Sequence, residues 1–204
     1  MTTAAPASTF FDRMRWLSSE IVLGTLIALL SVFTGIASYQ GSMSDSDQNK
    51  YQNEGMQTLT DANAEYLTAN QFIVYDYSLY DSWFLDETGT KAAYYEANFS
   101  EALQTSLKTN PDDPFNPSYY DAVWKDANQM FEDADKKFTV AEEFNTRGDQ
   151  LQLVMMIMAI GLAFAAWASL LPAESKMRLL FTVLAIITAV LGLAAYLGVP
   201  TVIA

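Results

Sequence analysis

The sequence predicts an all-α membrane protein: three transmembrane helices, with an extracytoplasmic helical hairpin of coiled-coil-like character between the first two. Three observations lead there. The chain contains three long uncharged apolar runs, its acidic residues are confined to one stretch, and that stretch carries a four-three spacing of apolar residues.

The apolar runs cover 21–44, 150–173 and 179–204. Each supplies the roughly 20 apolar residues that a helix needs to cross a ~30 Å hydrocarbon core. Lipid offers no partner to backbone N–H and C=O groups, so each run must be helical. Arg13 and Arg15 before the first run resemble the n-region of a signal peptide, and Gly35-Ile36-Ala37 resembles a small-x-small cleavage site. The apolar stretch is longer than the 7–15 residues usual for a signal peptide, which favours an anchor.

Charge divides the same way. Residues 41–150 hold 21 acidic and 7 basic side chains, a net of −14, and the remainder carries +1, giving −13 for the whole chain. Such a partition suits segments that live in different solvents. Arg13, Arg15, Lys176 and Arg178 flank the apolar runs, and the positive-inside rule puts them in the cytoplasm. The expected order is a short cytoplasmic segment 1–20, a transmembrane helix 21–40 and an acidic extracytoplasmic domain 41–150. A second transmembrane helix 151–171, a cytoplasmic loop 172–178, a third transmembrane helix 179–199 and an outer end 200–204 complete it.

Within the acidic stretch, Met56, Leu59, Asn63, Tyr66, Asn70, Ile73, Tyr77 and Tyr80 define an outgoing seam. Tyr120, Trp124, Ala127, Phe131, Ala134, Phe138 and Ala141 define a returning one. Both follow the heptad spacing of paired helices. Glu87-Thr88-Gly89-Thr90 ends the outgoing helix, 91–108 forms one short middle helix, and the proline-rich run 110–117 breaks the chain again. Ser118, with Asp121 three residues on, is the expected N-cap of the returning helix.

Function is less legible. There is no cysteine and no histidine, so zinc sites, haem ligation through His or Cys, Ser-His-Asp triads and cysteine nucleophiles are excluded and no cofactor is expected. The acidic domain repels phosphate backbones, which argues against nucleic acid. Asp112, Asp113, Asp121, Asp126, Glu132, Asp133 and Asp135 could offer oxygens to Ca²⁺, but they lack EF-hand spacing and read more simply as a solvated face. Asn98-Phe99-Ser100 matches a glycosylation sequon.

The aromatic concentration Tyr75, Tyr77, Tyr80, Trp83, Phe84, Tyr119, Tyr120 and Trp124 reads either as the small core of the domain or as a protein interface. Small residues at intervals of three or four (Gly161, Ala165 and Ser169; Ala185, Ala189 and Gly192) predict close transmembrane packing. No ionisable residue lies centrally in a span, which disfavours a pore or ion-coupled transport.

Gly35-Ile36-Ala37-Ser38-Tyr39-Gln40, followed by Ser46-Asp47-Gln48-Asn49-Lys50-Tyr51, resembles an uncharacterised family of small three-span bacterial membrane proteins with a polar helical middle segment. The resemblance implies that layout and no activity. The expectation is a non-catalytic accessory or scaffolding subunit. Its partners would be the lipid bilayer and other membrane subunits or copies of itself. The alternative is an extracytoplasmic ligand sensor acting through a separate partner.

Overall fold

The computed structural model describes residues 15–86 and 88–203, and of Arg15 the backbone alone. Expectations placed on Arg13, the Arg15 side chain, Glu87 and Ala204 lie outside the described residues. Among the described residues, a 3-10 turn at Arg15–Ser18 is followed by six helices: α1 (Glu20–Phe84), α2 (Ala92–Asn98), α3 (Glu101–Thr109), α4 (Pro117–Val123), α5 (Lys125–Leu170) and α6 (Lys176–Leu197). No strand occurs among the described residues. Contacts divide the chain into two compact units, residues 50–139 and the flanking segments that end at 49 and resume at 140.

The flanking unit contains the apolar runs. α1, α5 and α6 are each long and apolar enough to cross a membrane, which identifies the chain as a candidate multi-pass membrane protein. Only 17%, 28% and 22% of their most apolar windows are buried within the protein. The apolar surface therefore points mostly outward, where a soluble fold would place polar residues. The buried cluster is limited to Leu30 and Ala37 from α1, Val154, Met158 and Ala165 from α5, and Ala185 from α6.

Arg178, 5% exposed, closes one end of this unit. Its Nε donates to the Ser18 carbonyl at 2.9 Å and a terminal nitrogen donates to the Leu171 carbonyl at 3.1 Å. Both acceptors stand where a helical segment ends and its last carbonyls lack intrahelical donors. Tyr196 donates its hydroxyl to Gln40 Oε1 at 3.2 Å, and its ring packs edge-on against Phe33.

In the 50–139 unit, α1 and α5 pair antiparallel. The register runs from Phe138 over Gly55, through Lys137 on Thr58 and Phe131 against Tyr66, to Trp124 bonded to Asn70. The innermost residues of α1 are Gly55, Ala62, Ala69 and Asp76, seven apart, with Ile73 between the last two. Half of the expected outgoing seam is therefore rotated by one residue. Met56 is 56% exposed and Asn63 exposed, because the helices approach over glycine and alanine. The Phe138 ring occupies the space that a Cβ on Gly55 would need, at 2.8 Å.

Two further expectations are corrected. The single middle helix is two, α2 and α3, parted at Phe99 and Ser100. Ser100 leaves the helical path to cap α3, its hydroxyl accepting from Leu103 N–H at 3.1 Å. The cap after the proline run is Asn116, two residues before Ser118. Its Oδ1 accepts from the N–H groups of Ser118 and Tyr119, with Pro117 pre-set at the first helical position. Gly89, at φ +66°, makes the turn after α1.

Candidate functional site

The most specific constellation lies where α1 ends and α2, α3 and α4 fold against it. Asp76 is 1% exposed, and three donors converge on its carboxyl group. Ser100 N–H donates to Oδ1 at 2.9 Å, the Ser100 hydroxyl donates to Oδ2, and the Tyr119 hydroxyl donates to Oδ2 at 2.8 Å. A buried acid is tolerated when its oxygens are satisfied in this way. One side chain on α1 thus fixes both the start of α3 and the centre of α4. Asn116 adds a second tie, donating to Ser106 Oγ and the Asp113 carbonyl, each at 2.8 Å.

Apolar and aromatic residues wrap this network. Ile73, Leu79, Phe99, Leu103 and Tyr119 form the buried cluster. Of the expected interface residues, Tyr119 is 1% exposed and belongs to that core. Tyr80, Trp83, Tyr120 and Trp124 are partly buried against it. Tyr77 stacks on Phe115 at 4.0 Å between ring centres and shares a 2.6 Å hydroxyl contact with Tyr120. Trp83 donates to Glu96 at 3.0 Å and Trp124 to Asn70 at 3.1 Å. Tyr75 and Phe84 stay exposed. Tyr75 shares one side of α1 with exposed Val74 and, two turns back, exposed Leu67.

Two clefts open beside the network. One, of about 380 Å³, is lined by Glu101, Thr105, Ser118, Tyr119 and Lys125. The other, of about 360 Å³, is lined by Trp83, Glu96, Phe99, Gln104 and Lys108. Each combines an aromatic ring, a carboxyl group and a lysine.

The phenols respond to this environment. The Tyr120 hydroxyl contact, and then burial, push Tyr77 up to about 12. Burial first, and the Asp76 bond second, raise Tyr119 well above the ordinary tyrosine range. The neutral phenols are the folded forms. Stability from these groups should therefore be complete below the ordinary tyrosine value of about 10 and decline as pH climbs from there through 12. Titrating tyrosinate absorbance should show late-ionising phenols in the folded protein and none in denaturant. Tyr120→Phe should bring the Tyr77 step back down, whereas an unchanged step would disconnect it from the pair.

The expected transmembrane packing residues separate into two groups. Gly161, Ala165, Ala185 and Gly192 are buried and Ala189 partly so, whereas Ser169 is exposed and bonds its own helix at Ala166. A Cβ on Gly161 would lie 2.5 Å from Thr188 Oγ1 and 3.3 Å from Leu30. One on Gly192 would press on Met158 along its side chain, 2.9 Å from Sδ and Cε and 3.2 Å from Cγ. Thr188 is β-branched and bonds the carbonyls of Leu184 and Ala185, so it yields poorly. Gly161→Ala should cost about 1–3 kcal/mol by overpacking, and Gly192→Ala less, because Met158, although buried, is unbranched and can change rotamer. Reversible unfolding in mixed micelles measures both, and equal costs would show that Thr188 gives way.

Composition and spacing single out none of Asp76, Ser100 and Asn116. The one available signal is the heptad run Gly55, Ala62, Ala69, Asp76, which places an acid at the next innermost position after three small residues. Among the described residues, no three carboxyl groups converge where they could hold a metal ion. No family model, curated protein or solved structure matches this chain.

Proposed function

We propose that this chain is a non-catalytic accessory subunit of a larger membrane complex. In this reading 1–20 and the loop 172–178 are cytoplasmic, and residues 41–150 stand outside as a helical hairpin. One observation carries the proposal. On the side of α1 turned from its buried seam, Leu67 is 63% and Val74 69% exposed, with Met56 exposed in line with them. The intervals of eleven and seven residues equal about three and two turns of a helix with 3.6 residues per turn.

Such a stripe on an otherwise acidic unit is what a partner helix would cover. The chemistry that fits is an apolar helix of another membrane subunit, with basic residues on its flanks to meet the surrounding carboxylates. The network at Asp76 would hold α1 rigid for that contact, limiting the ordering cost of association.

Purification of the full chain from native membranes in mild detergent tests this, with photo-crosslinking residues placed at positions 67 and 74. A stoichiometric partner crosslinked at both is expected. Monomers alone, with no crosslink at either position, would overturn the proposal.

A second reading, a ligand sensor acting through a separate partner, is favoured by the two clefts beside Asp76. Their volumes suit a small amphiphilic molecule. It requires that some small molecule raise the thermal stability of the full chain and that Lys108→Ala or Lys125→Ala abolish the shift.

A further inference from the structure

In the flanking unit, a cleft of about 750 Å³ opens along α1. Val32, Gly35 and Ile36 line its apolar part, and Tyr39, Asp47 and Arg147 line its polar part. The apolar residues lie within the first apolar run. Asp47 follows that run, and Arg147 stands just ahead of the apolar segment of α5. Charge thus enters the cleft where the apolar runs end, with Phe144 and Val202 keeping that end partly apolar.

Arg147 is the unusual member. Its Nε is buried without a hydrogen-bond partner, and among the described residues no ion pair joins it to Asp47. With Nε buried and unbonded, the terminal nitrogens of Arg147 remain to meet an anion, and their planar fork suits a phosphate. The carboxyl group of Asp47 in the same cleft disfavours a purely anionic ligand and suits one that also carries a cation.

We propose that this cleft is a binding site for a phospholipid with a primary-amine headgroup. Its phosphate sits on Arg147, its ammonium on Asp47, and one acyl chain lies along Val32, Gly35 and Ile36. The inference rests on the reading that the apolar runs lie in a bilayer. That reading explains why an apolar wall and a headgroup-sized polar end share one cleft. Gly35 keeps the wall open, since a Cβ there would meet nothing within 4 Å.

Native mass spectrometry of the full chain in detergent, titrated with phosphatidylethanolamine, phosphatidylcholine or phosphatidylglycerol, tests the site. Phosphatidylethanolamine is expected to be retained at least about fivefold better than the other two, about 1 kcal/mol of preference. Arg147→Gln should reduce retention of all three about tenfold. Asp47→Asn should erase the preference, lowering phosphatidylethanolamine retention most and phosphatidylcholine retention less, since choline loses only the charge attraction and no hydrogen bond. Gly35→Leu, which enters open space and so spares the fold, should lower retention whatever the headgroup.

Retention that is equal for the three lipids, or untouched by the Arg147 and Gly35 variants, would reduce the cleft to part of the general lipid annulus and overturn the inference. Soluble glycerophosphoethanolamine binding as well as the lipid would overturn the acyl assignment. A detergent-extracted chain that fails these tests defeats this inference alone. A chain released into the aqueous phase by alkaline washing of membranes defeats the bilayer reading with it.

Discussion

Asp76→Ala is expected to lower the stability of the 50–139 unit by about 3–5 kcal/mol. Three hydrogen bonds disappear, and the Ser100 and Tyr119 donors are left inside a core with nothing to accept from them. Stranded buried donors cost about 1–3 kcal/mol each, which outweighs the net value of the bonds themselves. Asp76→Asn keeps the volume and an acceptor oxygen for the Ser100 N–H, but its NH2 then faces the Ser100 and Tyr119 hydroxyls, which must turn to accept and lose a charged acceptor, so about 1–3 kcal/mol is expected. Tyr119→Phe removes a single bond and should cost about 1–2 kcal/mol.

Denaturation of the full chain, followed by near-ultraviolet circular dichroism of the surrounding aromatics, measures all three. In the Asp76→Ala background, Tyr119→Phe should become nearly neutral or stabilising, since the hydroxyl then has no partner. That non-additivity separates a direct bond from two independent packing defects. A parent-like stability for Asp76→Ala would mean that the network does not hold α3 and α4 to α1. The rigid interface proposed above would then lose its support.

The parts of this structure that were legible in the sequence depend on composition over long windows or on backbone chemistry at single residues. Three uncharged runs suffice to locate α1, α5 and α6, because crossing a bilayer needs little beyond length and apolarity. Gly89 and the prolines at 111, 114 and 117 mark the turns because their backbones permit or forbid particular conformations. The seam of α1 was half legible. Its tyrosines drew the expected stripe to Tyr77 and Asn70, but closest approach belongs to Gly55, Ala62 and Ala69, where the partner's aromatics need room.

Individual sites were not legible, for a different reason. With 24 acidic residues in the chain, nothing local separates Asp76 from the solvated others. Its role exists only where Ser100 and Tyr119, 24 and 43 residues away, meet it. Arg147 likewise reads as one more cation until its neighbours in the cleft are known.

Arg178 makes the same point with the opposite outcome. From sequence it marks the cytoplasmic side, as one of four basic residues beside the apolar runs. In the fold it is 5% exposed and ties the Ser18 and Leu171 carbonyls together across 160 and 7 residues of chain. Arg178→Ala should therefore destabilise the flanking unit by about 2–4 kcal/mol, the range for losing two charge-assisted bonds while two carbonyls stay under-satisfied. Arg178→Lys keeps the charge but offers a point donor in place of a fork, and should recover no more than about half.

Unfolding in mixed micelles gives the stabilities, and accessibility labelling of the 172–178 loop gives the orientation. If the residue acted through its charge alone, Lys would restore both fully. Because one guanidinium reaches two helical ends, Arg178→Lys is expected to keep the orientation while losing much of the stability.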